Sequence, residues 1–336
     1  MKRCLILLAV ISAYTAAPEG TAPAGETFGD WSAPVPVTSL NTDSNDMYAV
    51  LSKNELTIYF ASDRPGGVGL TPNDDLWFAT RESVEAPWGD PHNMGEINSA
   101  AADSLPMLSY DEHVMFFQST RPGGCGKGDI WMTRRRDKRS QEWELPTNLG
   151  CVLNTDANET APAFFENPET QEVTLFYGSD RGGPSTDYDV YASVVGEDGY
   201  FGLGAVVPEF SSPNRDTRIF IRKDGLEAFI TSSRDFGTGA IDIWTSTRQT
   251  LSDPWSTPLV DLPSPVNSTC DDGSPSLSRD GTTLYFFSTR IPGAGCGRRD
   301  IWSTTREKIQ QENNSQGSVA GLWKRMLARL SGSPLG

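Results

Sequence analysis

The chain has 336 residues, 37% hydrophobic and 21% charged, with 9 Trp, 9 Tyr and 15 Phe beside 32 Gly and 23 Pro. So many rings exclude a disordered chain, and so much Gly and Pro excludes a helical bundle. Lys and Arg number 28 against 44 Asp and Glu, a formal net charge of -16, which excludes unpatterned nucleic-acid binding because phosphate neutralisation needs a basic surface.

Residues 1–17 read as a signal peptide: Lys2 and Arg3 precede an apolar run from Cys4 to Ala13, and small residues surround Ala16 and Ala17. The apolar run is too short to span a bilayer, and no later segment is apolar enough to do so. Export to the periplasm or the extracellular space is expected, with 18–30 as a linker. Loss of Cys4 with the leader leaves Cys125, Cys151, Cys270 and Cys296, an even set in an oxidising compartment, where disulfides are the default.

Five segments then repeat one another: Leu56 to Thr80, His113 to Thr133, Val173 to Ser193, Leu226 to Ser246 and Thr283 to Thr304. Their shared arginine recurs about every 55 residues, at Arg64, Arg121, Arg181, Arg234 and Arg290. Each copy divides into four strands. Strand A is a short apolar run ending near Leu51, Leu108, Phe165, Ile221 or Leu277, followed by a tight turn such as Asp224-Gly225 or Asp280-Gly281. Strand B is an aromatic run such as Tyr59-Phe60 or Phe116-Phe117. A Gly-rich loop leads to strand C, the Asp-apolar-aromatic triplet at Asp75, Asp129, Asp189, Asp242 and Asp300, and strand D opens at Trp31, Trp88, Trp143, Trp255 or Tyr200-Phe201. An all-β, five-bladed β-propeller of four-stranded antiparallel blades over 31–306 is predicted. Its N-terminal strand D completes the last blade, which otherwise lacks one, and so removes two open edges.

The succession of Asn, acidic residue, Pro, Leu-Ser, Asp-Gly, aromatic strand, Ser-x-Arg-Pro-Gly-Gly and Asp-Ile-Trp resembles the TolB-type, WD40-like propeller repeat of exported bacterial proteins. The resemblance covers about Trp31 to Arg306 and implies the fold; similar repeats occur in scaffolds, in peptidase-associated propellers and in oligogalacturonate lyases. The copies depart in blade four, where Ser211 replaces the repeated Asn and Arg234-Asp235-Phe236 replaces Arg-Pro-Gly.

Three groups of repeated residues are candidates for chemistry. Asp46, Asp103, Glu159, Asp216 and Asp272 begin the innermost strands and converge on one rim of the channel. One reading gives them a cationic or hydroxyl-rich ligand, with a calcium ion as the alternative occupant and otherwise no cofactor. The other has each carboxylate cap backbone N–H groups of its own turn, which recurrence in every blade favours. Arg64 with Asp75, Arg121 with Asp129, Arg181 with Asp189, Arg234 with Asp242 and Arg290 with Asp300 are expected as structural ion pairs across strands B and C. In a propeller the B–C loops and D–A connections share a face, so Cys125 should pair with Cys151 and Cys270 with Cys296. His92 and His113 are the two histidines, too few for a metal-ligating cluster, and no G-x-S-x-G elbow is present.

After a polar linker at 307–318, Val319, Leu322, Trp323, Met326, Leu327 and Leu330 recur at helical spacing between basic residues, predicting an amphipathic helix at 319–331 for a membrane surface, a partner or the propeller itself. The symmetric rim suggests a monomeric, non-enzymatic exported propeller that binds a protein or glycan through its loop-bearing face. The alternative is a polysaccharide-active enzyme, a glycoside hydrolase using two rim carboxylates.

Overall fold

A computed structural model describes residues 26–69, 73–183 and 187–309. The signal peptide at 1–17, the rest of the first linker, most of the polar linker and the helix at 319–331 lie outside the described residues.

Apart from one 3₁₀ turn at Gly95–Ile97, the described elements are strands, arranged as five four-stranded antiparallel sheets. Chain order begins with β1 (Thr27–Phe28) and β2 (Val35–Pro36). Blade one is β3 (Asp46–Leu51), β4 (Thr57–Ser62), β5 (Asp75–Thr80) and β6 (His92–Asn93). Blade two is β7 (Asp103–Leu108), β8 (Val114–Ser119), β9 (Asp129–Arg134) and β10 (Thr147–Asn148). Blade three is β11 (Glu159–Glu166), β12 (Val173–Ser179), β13 (Asp189–Val194) and β14 (Ala205–Val206). Blade four is β15 (Asp216–Ile221), β16 (Glu227–Ser232), β17 (Asp242–Thr247) and β18 (Val260–Asp261). Blade five has β19 (Asp272–Leu277), β20 (Thr283–Ile291) and β21 (Gly295–Thr305), and its fourth strand is β2, with Val35 opposite Ser303 and Pro36 opposite Trp302. The inner strands β3, β7, β11, β15 and β19 meet one another in a closed ring.

The strands form where β-branched and aromatic residues alternate with small ones. Ile58, Tyr59 and Phe60 of blade one are fully buried, as are Phe117, Tyr177, Phe229 and Phe286 in the corresponding strands of the other blades. They pack between neighbouring sheets, so the core is a set of interblade layers, and each such ring stabilises by about 2–3 kcal/mol.

The outer strands are two residues long and start four or five residues beyond the tryptophans expected to open them. The reason is a second arginine at the end of strand C. Arg81, Arg135, Arg248 and Arg306 stack over Trp88, Trp143, Trp255 and Trp31 at 4.2–4.4 Å. The two segments expected to be linkers also carry strands: β1 pairs with β22 (Lys308–Ile309), and Arg306 covers the Phe28 ring at 3.8 Å.

Two disulfides, Cys125–Cys151 and Cys270–Cys296, tie a B–C loop to the following D–A connection, each across 26 residues of chain. Closing loops of that length contributes about 3 kcal/mol apiece. Replacing Cys125 and Cys151 with Ser, or Cys270 and Cys296, is expected to cost that much in denaturant unfolding, and the two losses should add because the sites share no partners. Unchanged midpoints would contradict this.

Candidate functional site

At the loop-bearing end of every blade three strands meet in one register: Asp46 opposes Ser62, which opposes Asp75, and the same alignment recurs in the other four. The repeated arginine lies two residues beyond that serine and folds back, its Nε donating to the serine hydroxyl at 2.7–3.0 Å. Its Nη2 then reaches the strand A carboxylate: Arg64 to Asp46, Arg121 to Asp103, Arg181 to Glu159, Arg234 to Asp216 and Arg290 to Asp272, at 2.5–3.1 Å. The expected pairs with the strand C aspartates are thereby corrected. The serine between strands A and C anchors the guanidinium toward A, while the strand C carboxylates are engaged by amides of the Gly-rich loop. Aromatic rings of strands B and C flank the same guanidinium, as Phe60 and Trp77 do for Arg64.

The strand C aspartates serve the Gly-rich loop instead. Asp75 accepts from the Val68 amide, Asp129 from those of Cys125 and Gly126, and Asp242 from that of Gly239. A Cβ at Gly67 or Gly124 would run into Asp75 or Asp129, which is why the loop carries glycine there. The repeated Asn41, Asn98, Asn154 and Asn267 each bridge both backbone groups of a strand C residue in the preceding blade, and Ser211 reaches Val190 in the same way.

The five rim carboxylates are fully buried. Besides its arginine, each accepts the backbone amide of the residue four places earlier, from Thr42, Ser99, Thr155, Ser212 or Ser268, at 2.5–2.6 Å. This is the capping arrangement, with a guanidinium as the other partner of each carboxylate. Among the described residues no group of three or more His, Cys, Asp or Glu is placed to hold a metal ion. His92 lies against Phe78, and His113 meets the Arg135 carbonyl.

The chemistry lies where the five-fold pattern breaks. Every A–B pairing has a bulge near the start of strand A, after its second residue in four blades and after its first, Asp216, in blade four. The third residues, Tyr48, Leu105, Ala161, Arg218 and Ser274, line a pocket of about 70 Å³ on the axis. Four of them have positive φ, from 50° to 63°; Arg218 does not. Arg218 is buried, sends Nη2 across the ring to the Pro106 carbonyl at 3.1 Å, and leaves Nη1 without a partner. Burial lowers its pKa to about 10, so it stays a cation at neutral pH. Ser274, 1% exposed, has an equally unpartnered hydroxyl. Nearer the mouth, Arg299 lies over the Phe287 ring with Nη1 3.4 Å from the Tyr48 hydroxyl, and Arg215 pairs with Asp187 at 3.2 Å.

The residue before each strand C aspartate also varies: Asp74, Gly128, Tyr188, Ile241 and Arg299. Asp74 is pushed up to about 6 by burial and by the Asp63 charge, with Arg299 opposing and Asp75 adding. Asp63 accepts two hydrogen bonds from Asn45, at 2.7 and 2.8 Å. Asp74 therefore stands in the field of Arg299 and acts on Tyr48, with Asp63 as its acidic neighbour. Sequence reading missed all of these residues because it sought what recurs; comparing the copies for what differs at fixed offsets would have exposed them.

No protein-family model matches the chain, and no curated protein matches it. Solved structures match as folds. A GH43 β-xylosidase/α-arabinofuranosidase from a compost microbial metagenome, in complex with xylotriose, is 12% identical, with 83% of this chain and 98% of that one covered at a TM-score of 0.54. The catalytic domain of a GH62 α-L-arabinofuranosidase from Coprinopsis cinerea is 12% identical over 82% and 96% of the chains, TM-score 0.53. TolB from Acinetobacter baumannii, 14% identical, covers 80% of this chain and 56% of its own at a TM-score of 0.42, and the TolB-type resemblance is not confirmed. That the structures sharing this fold are mostly glycoside hydrolases overturns the expectation of a non-enzymatic binding module. That expectation rested on a symmetric rim, and the symmetric residues turn out to be occupied with one another.

Removing one partner of a buried ion pair costs about 3–5 kcal/mol. Asp103→Asn, Asp216→Asn and Asp272→Asn are each expected to lose that order of stability in chemical denaturation, alike from blade to blade, with no rescue by added calcium. A substitution that left the midpoint unmoved would remove the carboxylate from this structural role.

Proposed function

We propose that the protein is an exported polysaccharide-active enzyme, a glycoside hydrolase working at the axial mouth on the loop-bearing face. The observation that carries this reading is the unequal carboxyl pair Asp74 and Asp63. Glycosidic cleavage needs one carboxyl group that still holds a proton to give to the leaving oxygen, and a second that is charged. Asp74, protonated up to about pH 6, fits the first role, and Asp63, its acidic neighbour held by two hydrogen bonds from Asn45, is the candidate for the second. The arabinofuranosidases and the xylosidase among the fold neighbours support the same class of substrate. Phe236, 98% exposed, stands in the B–C loop whose two ends at Ser233 and Ile241 line the pocket, where a ring can pack on the apolar face of a sugar. Two disulfides support export, and no helix among the described residues is long and apolar enough to cross a membrane.

Asp74→Asn and Asp63→Asn are expected to lower kcat/KM on a responsive polysaccharide by about 10²–10⁴-fold while the protein stays folded. Because the acid must be protonated, activity should fall as pH rises through about 6, and this limb should vanish in Asp74→Asn. The folded state also holds the extra proton between about pH 4 and 6, so stability falls as pH rises through that window. Asp74→Asn should flatten part of the slope, with Asp242, likewise pushed up to about 6, keeping the rest. Reducing-end assays on arabinan, arabinoxylan and pectic polysaccharides that release nothing would sink the enzymatic reading.

We further propose that β2 closes the ring, with Asn41 holding Ile301 and Arg306 stacked on Trp31 as its fastenings. Deleting 26–36 should then expose the edge of β21 and cost several kcal/mol, visible as early melting or aggregation. A truncated chain that melts like the full one would refute closure.

A further inference from the structure

The axial pocket contains an electrostatic imbalance. Arg215 has Asp187, and Arg299 lies in the field of Asp74. Arg218 has no carboxylate partner among the described residues; the acidic group acting on it is the Tyr48 phenol, which burial keeps in its neutral form. A buried cation without a counter-charge is costly, and replacing it by an apolar residue of similar volume is often stabilising. It also stands in the one strand A whose third residue lacks the left-handed conformation of the other four. The neighbouring Ser274 hydroxyl is buried and unpartnered as well, so two donors converge on one small space with nothing to accept from them.

We infer that this pocket receives the carboxylate of an acidic sugar, with Arg218 Nη1 and the Ser274 hydroxyl donating to it and Arg299 and Tyr48 guarding the entrance. The inference rests on the reading of the protein as a glycan-active enzyme and names its substrate class. Burial decides how much of the sugar reaches the two donors: Arg218 and Ser274 are 2% and 1% exposed, so one anionic group, not a whole ring, contacts them. Charge decides which group. With Arg215 and Arg299 each facing an aspartate, the pocket carries one uncompensated positive charge, which matches a monoanionic carboxylate better than a doubly charged phosphate. The cations run inward from exposed Arg215 through half-buried Arg299 to buried Arg218, forming a positive path into a protein whose net charge is -16.

The test is calorimetric titration of the full chain with galacturonate and glucuronate oligosaccharides, with neutral xylo- and arabino-oligosaccharides of matched length, and with inorganic phosphate. Uronides should bind at least tenfold tighter than their neutral counterparts. Arg218→Met should erase that preference, with the melting temperature of the free protein equal or higher. Ser274→Ala should reduce the preference severalfold, and it serves as the second variant should Arg218→Met not fold. Equal affinity for acidic and neutral oligosaccharides, or a preference that survives Arg218→Met, overturns the inference. Phosphate binding as tightly as the uronides also overturns it, by assigning the pocket to a free oxyanion. Arg218-dependent uronide binding without cleavage of any glycan would defeat the enzymatic reading and leave this one standing; cleavage of neutral glycans with no uronide preference would do the reverse.

Discussion

The structure depends on one cluster, made five times: a buried carboxylate on strand A, a serine on strand B and an arginine two residues later that folds back onto both. A guanidinium has five donors in a fixed fork, and here they are spent on a hydroxyl, a carboxylate and the carbonyl at the end of the preceding connection, such as Leu40 for Arg64. Its faces are covered by aromatic rings of strands B and C. The rim is therefore electrically balanced blade by blade, each buried carboxylate facing its own guanidinium.

Such a rigid frame can carry strain at its centre. Four non-glycine residues at equivalent positions adopt left-handed backbone conformations, each costing on the order of 1 kcal/mol, and persist because the flanking ladder and the charge cluster determine the strand on both sides. The bulge they form brings the third side chain of every inner strand to the axis. A repeated framework thus presents five positions that nothing in the framework constrains, and these hold Tyr, Leu, Ala, Arg and Ser. The division of labour is physical: equivalent residues satisfy one another, so the proposed chemistry is left to groups without an equivalent in the other blades, Arg218, Ser274 and Asp74.

The five blades, their four-strand layout and the two disulfides were legible in the sequence because each rests on local information: strand alternation, turn residues at fixed offsets, and a period that brings cysteines to equivalent loops. Which aspartate each arginine would choose was not legible. Arg64 is separated by 11 residues from Asp75 and by 18 from Asp46, and sequence distance favours the wrong one. The choice is made by register, which sets the serine between the two acids and turns the side chain toward strand A. Likewise Asp74 and Arg299 are an acid and a base far apart in sequence, and only the ring brings blades five and one side by side.

By itself, then, the sequence determined the architecture and the residues that build it, since repetition writes structural constraints five times over. The tertiary structure alone decided which polar groups remain after those constraints are met. A spare donor or a carboxyl group with a raised pKa is defined by what surrounds it in space, by burial and by missing partners, and neither quantity exists until the strands have closed around the axis.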